Sequence, residues 1–237
     1  MLVLGIDTST KTTAVGLWDE NGLVAEISGK AHIEHSERLL IQIKTLFEFG
    51  GRGFDELEGI GAVVGPGSFT GLRVGIATAQ GLAESLGIPT VGLSSLEVLA
   101  YGPAGCSKAS PICSLLVARK GYIYAALYRQ ETGSMPALQP PVTCEPEEII
   151  PWIEEPTVFV GQGYTAHREF FREILGNRIV ELSDPYHWPS GRAVSWLAYQ
   201  GLHSGRGHDP ARLLPEYLGP STAEINWEKR QAKLKGS

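Results

Sequence analysis

A chain of 237 residues with 43% hydrophobic and 19% charged side chains has the composition of a folded protein, which excludes a disordered or collagen-like chain. Its formal charge of −6 argues against stand-alone nucleic-acid binding, because neutralising phosphates with Lys and Arg supplies most of that affinity. Membership of a complex that acts on nucleic acid stays open. The uncharged apolar runs are strand-sized, short of the ~20 residues of a membrane span. The start MLVLGIDTST reaches Asp7 without a basic region and does not read as a signal peptide. Cys106, Cys113 and Cys144 are odd in number and lack CxxC spacing, so they outline neither a disulfide framework nor a zinc site. These features predict a cytoplasmic protein with no membrane association.

In chain order, Leu2–Ile6 reads as an apolar strand ending at Asp7. The polar turn Thr8–Lys11 leads to a second strand, Thr12–Trp18, and Asn21-Gly22 marks a hairpin to a third, Leu23–Ser28. A helix follows from about Ser36 to Phe49. Ile60–Val64 is a buried strand, followed by a glycine-rich loop, a helix over Phe69–Leu86 and a short strand at Pro89–Leu93. The second half repeats this order. Strands are predicted at Pro111–Val117, Tyr122–Tyr128, Thr157–Gly161 and Arg178–Leu182, with helices at Pro146–Ile153 and Thr165–Leu175. Three meandering strands followed by alternating helices and strands, seen twice, predict an α/β fold of two similar lobes with mixed sheets. The boundary falls near Tyr101–Ser110. Residues 1–103 form the first lobe, and residues 104–237 the second, with a terminal helix and the basic tail of Lys229, Arg230, Lys233 and Lys235.

Three features carry chemistry. The first is the loop Gly65-Pro66-Gly67-Ser68-Phe69-Thr70-Gly71, placed between a strand and a helix where free amides can hold an anion. It matches neither the P-loop nor the dinucleotide fingerprint. On the residues alone, a tight strand-to-helix turn capped by Ser68 is the better reading. Together with Asp7, Ser9 and Thr10, the residues Gly65, Gly67 and Ser68 are the candidate phosphate or nucleotide contacts. The corresponding turn of the second half, Val117-Ala118-Arg119-Lys120, has no acid, and one carboxylate is a weak magnesium site.

The second feature is the pair of helices. Gly71, Gly75, Ala79 and Ala83 recur every four residues, and Gly81 adds another small side chain, although interior Gly costs ~1 kcal/mol relative to Ala. Something must approach this backbone closely, either the chain's own sheet or another subunit. In the preceding helix Leu39, Leu40, Ile43, Leu46 and Phe47 form an apolar stripe, while Ile41 and Phe49 fall outside it. A partner or a second internal neighbour would explain the excess. The third is His32-Ile33-Glu34-His35, whose i, i+3 histidine spacing differs from the zincin HExxH and reads as surface or capping histidines.

The motifs LGIDTST (4–10), HSERLL (35–40), GPGSFTGLRVG (65–75) with GLA (81–83), and more loosely ARKGYIY (118–124), resemble the TsaB (YeaZ-like) family. That family is a subunit of the bacterial machinery that makes N6-threonylcarbamoyladenosine in tRNA. The resemblance implies an actin/Hsp70/sugar-kinase-like (ASKHA) fold with two ribonuclease-H-like lobes. It also implies a paralogue of the catalytic subunit TsaD. In TsaD a run like NHLEGH supplies two metal-binding histidines; here the matching run Ser94–Leu99 has Ser95 and Leu99 in those places. The resemblance therefore implies a non-catalytic activating subunit with no metal. Its partners would be a TsaD-like subunit, a TsaE-like ATPase in the larger complex, itself as a homodimer when the partner is absent, and tRNA indirectly. No resident cofactor is implied beyond weak ATP or ADP binding. The implied partner surface comprises Leu39, Leu40, Ile43, Phe47, Gly71, Leu72, Gly75, Ala79 and Leu82. The chain departs from the family pattern at Ile41, Val117, Tyr122 and Gly219. An ATPase or phosphotransferase of the same fold, resting on Asp7, Thr10 and the glycine loop, is the competing expectation. A metalloprotease resting on His32 and His35 is opposed by Ser95 and Leu99.

Overall fold

The computed structural model describes residues 1–30, 35–103, 110–119, 121–131 and 134–218, with the side chains of the first helix described from Arg38 onward. His32, the HSE segment's side chains, Cys106, Gly219 and the basic tail lie outside the described residues.

The first lobe is a five-stranded sheet. β1 (Leu2–Asp7), β2 (Thr12–Asp19) and β3 (Gly22–Lys30) form an antiparallel meander, and β4 (Leu57–Gly65) and β5 (Thr90–Ser94) continue parallel to β1 on its other side. The order is β3-β2-β1-β4-β5. The second lobe repeats it. β6 (Ile112–Val117), β7 (Ile123–Tyr128) and β8 (Ala137–Cys144) meander, and β9 (Thr157–Val160) and β10 (Ile179–Glu181) run parallel to β6, giving β10-β9-β6-β7-β8. The two-lobed mixed-sheet architecture read from the sequence is the one observed.

Side-chain alternation in β1 and β2 divides the first sheet into two faces. Ile6 and Leu17 point toward α1 (His35–Gly50) and α2 (Phe69–Leu86), whereas Gly5 and Gly16 point the other way. α2 is capped by Ser68, whose Oγ accepts from the Gly71 amide at 3.2 Å, and ends at Gly87 in the left-handed region. The opposite face is covered by α6 (Gly191–His203), which returns from the second half of the sequence. A Cβ on Gly5, Gly16 or Gly61 would collide with Ser195, Gly191 or Ala198 of this helix, so α6 rests almost directly on the backbone of the sheet. Its side chains Val194, Leu197 and Ala198 recur at helical spacing and join the core of the first lobe. After α6, residues 207–218 run back along the first lobe. Leu213 is buried, the Glu216 amide donates to the Val64 carbonyl at 2.8 Å, and the Leu218 carbonyl accepts from Thr143 of β8 at 2.6 Å.

Three elements differ from the sequence reading. The expected helix at 146–153 is a 3-10 segment, Pro146–Trp152, because Pro151 has no amide hydrogen to continue an α-helix. The expected helix at 165–175 is two short helices, α4 (Gln162–Ala166) and α5 (Arg168–Leu175), broken at His167. The segment with Pro140 and Pro141 is strand β8. It lies at the sheet edge, and the register passes from Ala125↔Val142 to Leu127↔Gln139, which seats both prolines in an irregularity where no ladder donor is needed.

Candidate functional site: a self-satisfied cleft and two helices with exposed apolar faces

The cleft between the lobes gathers the sequence-predicted phosphate contacts. A cavity of about 330 Å³ is lined by Ser9, Thr10, Lys11, Gly67 and Ser68 from the first lobe, and by Leu116, Val117, Ala118, Tyr124 and Gln162 from the second. Asp7 sits beneath it, 1% exposed. Its Oδ1 accepts from the Ser9 amide at 2.8 Å and the Ser9 hydroxyl at 2.7 Å, while Oδ2 has no partner among the described residues. Burial pushes the Asp7 carboxyl up to about 6, only partly offset by the two Ser9 hydrogen bonds.

The donors that would cradle a phosphate are turned inward. The Ser9 amide serves Asp7, the Ser68 amide donates to the Ser9 carbonyl at 2.7 Å, and the Thr12 amide donates to Thr10 Oγ1 at 3.0 Å. Gly67 lies so close to Ser9 that a Cβ there would sit 2.5 Å from its carbonyl oxygen. The glycine loop thus packs on the β1–β2 turn. Across the cleft, Val117 and Ala118 stand where a second carboxylate would be needed, and Gln162 contributes a buried amide nitrogen without a partner among the described residues. One buried carboxylate with no second acid across the cleft, and with the neighbouring Ser9 and Ser68 amides engaged within the chain, is a poor fit to a magnesium–nucleotide group. Leu116, Tyr124 and Gln162 were not legible as cleft residues, because only the folding of the second lobe brings them to the turn.

The positions matching the metal-binding histidines of TsaD are equally unsuited. Ser95 opens α3 (Ser95–Tyr101), is buried, and donates its hydroxyl to the Pro66 carbonyl at 2.5 Å. Leu99, one turn later, is buried in the same apolar cluster as Ile112, Leu116 and Val160. Among the described residues no three His, Cys, Asp or Glu groups converge in a way that could hold a metal ion.

The predicted partner surface needs correction. Leu39, Ile43, Phe47, Leu72 and Ala79 are buried in the chain's own core, as are Gly71 and Gly75. A Cβ at Gly71 would collide with the Thr8 carbonyl and one at Gly75 with the Thr8 hydroxyl, so the row of small residues brings α2 onto the β1–β2 turn. Of the two explanations for that row, intramolecular packing holds. Leu40 and Leu82 are reachable from outside. So are Ile41 and Phe49, the residues beyond the stripe, at 65% and 83% exposure, with Leu40 at 56%. On α2 the exposed side carries Thr70, Arg73, Ala77, Gly81, Glu84 and Ser85, and a Cβ at Gly81 would meet nothing. The chain itself therefore gives no reason for a glycine at 81, where Ala would favour the helix by ~1 kcal/mol.

Comparison with known proteins places this architecture. The family model of TsaD, tRNA N6-adenosine threonylcarbamoyltransferase, matches residues 20–227. The chain is 30% identical over 234 residues to the tRNA threonylcarbamoyladenosine biosynthesis protein TsaB of Bacillus subtilis, covering 98% of this chain and 100% of that protein. It is 31% identical over 237 residues to TsaB of Escherichia coli, covering 98% and 100%. The solved structure of YeaZ from Pseudomonas aeruginosa superposes with a TM-score of 0.80 at 27% identity, over 92% of this chain and 99% of that one. Component A of (R)-2-hydroxyglutaryl-CoA dehydratase from Acidaminococcus fermentans shares the fold alone, with a TM-score of 0.52 at 11% identity over 86% of this chain and 99% of that one. The repeated sheet order and these neighbours make the fold an actin/Hsp70/sugar-kinase-like one. No described helix is long and apolar enough to cross a membrane. With a family model spanning most of its length and full-length relatives at about this identity, the chain belongs to the tRNA N6-adenosine threonylcarbamoyltransferase family, in its TsaB branch.

Proposed function

We propose that this protein is a non-catalytic subunit in the biosynthesis of tRNA threonylcarbamoyladenosine, and that it acts by docking the exposed faces of α1 and α2 onto a TsaD-like catalytic subunit. The observation that carries this reading is the pairing of a disabled cleft with an unpartnered helical face. The Ser9, Ser68 and Gly71 amides are engaged within the chain, and Ser95 and Leu99 are committed to packing. Meanwhile Leu40, Ile41, Phe49 and the open backbone at Gly81 stand outside the core. Exposed apolar residues on two neighbouring helices suit a helix-bundle contact, in which a glycine lets a partner backbone come close. Leu40 and Leu82 belong to this surface; the buried residues named with them support it from beneath. A TsaE-like ATPase joins the larger complex, a homodimer uses the same face when the catalytic subunit is absent, and tRNA is reached mainly through the complex. Nucleotide binding in the cleft is at most weak, and the protein works in the cytoplasm.

The test is co-migration with a purified TsaD-like subunit on size exclusion. Wild type should shift to a heterodimer, whereas Gly81→Trp and Ile41→Glu should not, each keeping its circular dichroism spectrum. Absence of a wild-type shift, or undiminished shifts in both variants, overturns the docking surface.

A further inference from the structure

The cleft and the α1/α2 face leave the far side of the first lobe unaccounted for. There α6 carries three rings at helical spacing on its outer side. Trp196 and Tyr199 stack with centroids 6.3 Å apart and planes 11° apart, and Tyr199 and His203 follow at 5.7 Å and 6°. Trp18 of β2 closes one end, 5.0 Å from Trp196. Beside this end lies a cavity of about 260 Å³ lined by Trp18, Tyr101, Gln130, Arg192, Ala193 and Trp196. Trp196, Tyr199 and Trp18 are half-buried, and His203 is exposed.

Two cations border the row. Arg192 is exposed; its guanidinium donates to the Gly102 carbonyl at 3.2 Å, and it makes no ion pair with a described residue. Glu26 of β3 accepts from the Arg192 backbone amide at 2.6 Å. Arg206 is also exposed and lies near Glu97 and Tyr101. Burial raises the Glu97 carboxyl, and the Arg206 charge opposes that rise. Half-buried aromatic rings bordered by guanidinium groups suit a ligand of flat rings joined by anionic groups. Successive near-parallel rings extend beyond the span of one base, which suits a strand better than a free nucleotide.

We propose that the Trp18–Trp196–Tyr199–His203 row, with Arg192 and Arg206, is a stacking platform for a single-stranded stretch of RNA. The identity of that strand as part of the tRNA substrate rests on the proposed function. The platform gives the subunit a direct contact with RNA on the side of the lobe opposite its partner helices. Its few cations agree with an acidic protein that holds RNA weakly by itself and more tightly alongside another subunit's contacts.

The rings themselves report binding. Tryptophan fluorescence of the full chain is titrated with octa-adenylate and octa-uridylate at 50 and 200 mM salt, with adenosine monophosphate and inorganic phosphate as controls. The expected result is saturable quenching by the octamers. Two phosphate contacts at ~0.7 per contact imply roughly sevenfold weakening across that salt range. Arg192→Glu and Tyr199→Ser should each weaken binding about tenfold with unchanged circular dichroism, and phosphate alone should not quench. No saturation by either octamer overturns the proposal, as does equal affinity in both variants or a monophosphate binding as tightly as the octamers. Co-migration with the catalytic subunit is scored separately. An intact complex without octamer quenching sinks the platform alone, whereas loss of the complex sinks the docking reading.

Discussion

Replacing Asp7 by Asn should stabilise the isolated protein at neutral pH, by an amount that grows with pH. Asp7 is fully buried and its carboxyl titrates near 6, against 3.8 in a solvated chain. Between those values the folded state binds the proton more tightly than the unfolded state. Stability therefore falls as pH rises through this window. At ~1.4 kcal/mol per pH unit, the penalty for holding a buried charge approaches roughly 3 kcal/mol above pH 6. Asn keeps the acceptor that serves the Ser9 amide and hydroxyl and carries no charge. The two proteins should have similar stability near pH 4 and diverge to about 1–3 kcal/mol in favour of Asn at pH 7.5. Urea unfolding followed by tryptophan fluorescence at pH 4.5, 5.5, 6.5 and 7.5 measures the divergence. A pH-independent difference, or an Asn variant that loses ground as pH rises, would show that Asp7 is solvated or paired and refute the reasoning.

Other outcomes follow from the same contacts. Gly71→Ala should lower stability by about 1–3 kcal/mol, because its methyl meets the Thr8 carbonyl, a backbone atom that cannot turn aside; thermal melting within a degree of wild type would contradict this packing. Gly81→Ala should do the reverse, raising the melting temperature by roughly 2–4 °C through ~1 kcal/mol of helix propensity, and a drop would mean that the chain itself needs the glycine. The double variant Ser95→His/Leu99→His should not recreate a metal site, because one side chain meets the Pro66 carbonyl and the other enters the core. It should melt early and take up no zinc or iron by elemental analysis, and stoichiometric uptake would show that the site is merely vacant of ligands.

Much of the architecture was legible because each lobe announces itself locally. Asn21-Gly22 fixes the first hairpin, and the uninterrupted apolar run from Ile60 to Val64 matches a strand buried on both faces. Helix α2 was read to the residue, since Ser68 and Gly87 bracket it. What escaped depended on tertiary context. β8 holds two prolines that only an edge irregularity accommodates, and α3 has seven residues, too few for a periodic signal. α6 could have been found, for Val194, Leu197, Ala198 and Gly201 recur at i, i+3, i+4 and i+7 behind the Ser190 cap. Most residues expected on the partner surface are buried for a related reason. Periodicity marks the face of a helix that is apolar, and in a single chain that face turns inward. The informative residues were those that broke the pattern, Ile41, Phe49 and Gly81.

The return of α6 to the first lobe makes the order of synthesis matter. Residues 1–103 supply every strand of their sheet, yet one face of it, with Gly5, Gly16 and Gly61 bare, waits for a helix translated almost a hundred residues later. The lobe made first is thus completed last. Until Val194, Leu197 and Ala198 arrive, the nascent chain presents a sheet face uncovered at its glycines, an exposed surface that invites misassembly. Contacts so distant in sequence also slow folding, since the intervening loop must close before they form. A chain cut after the second lobe's last strand would keep all ten strands and still leave its first half unfinished.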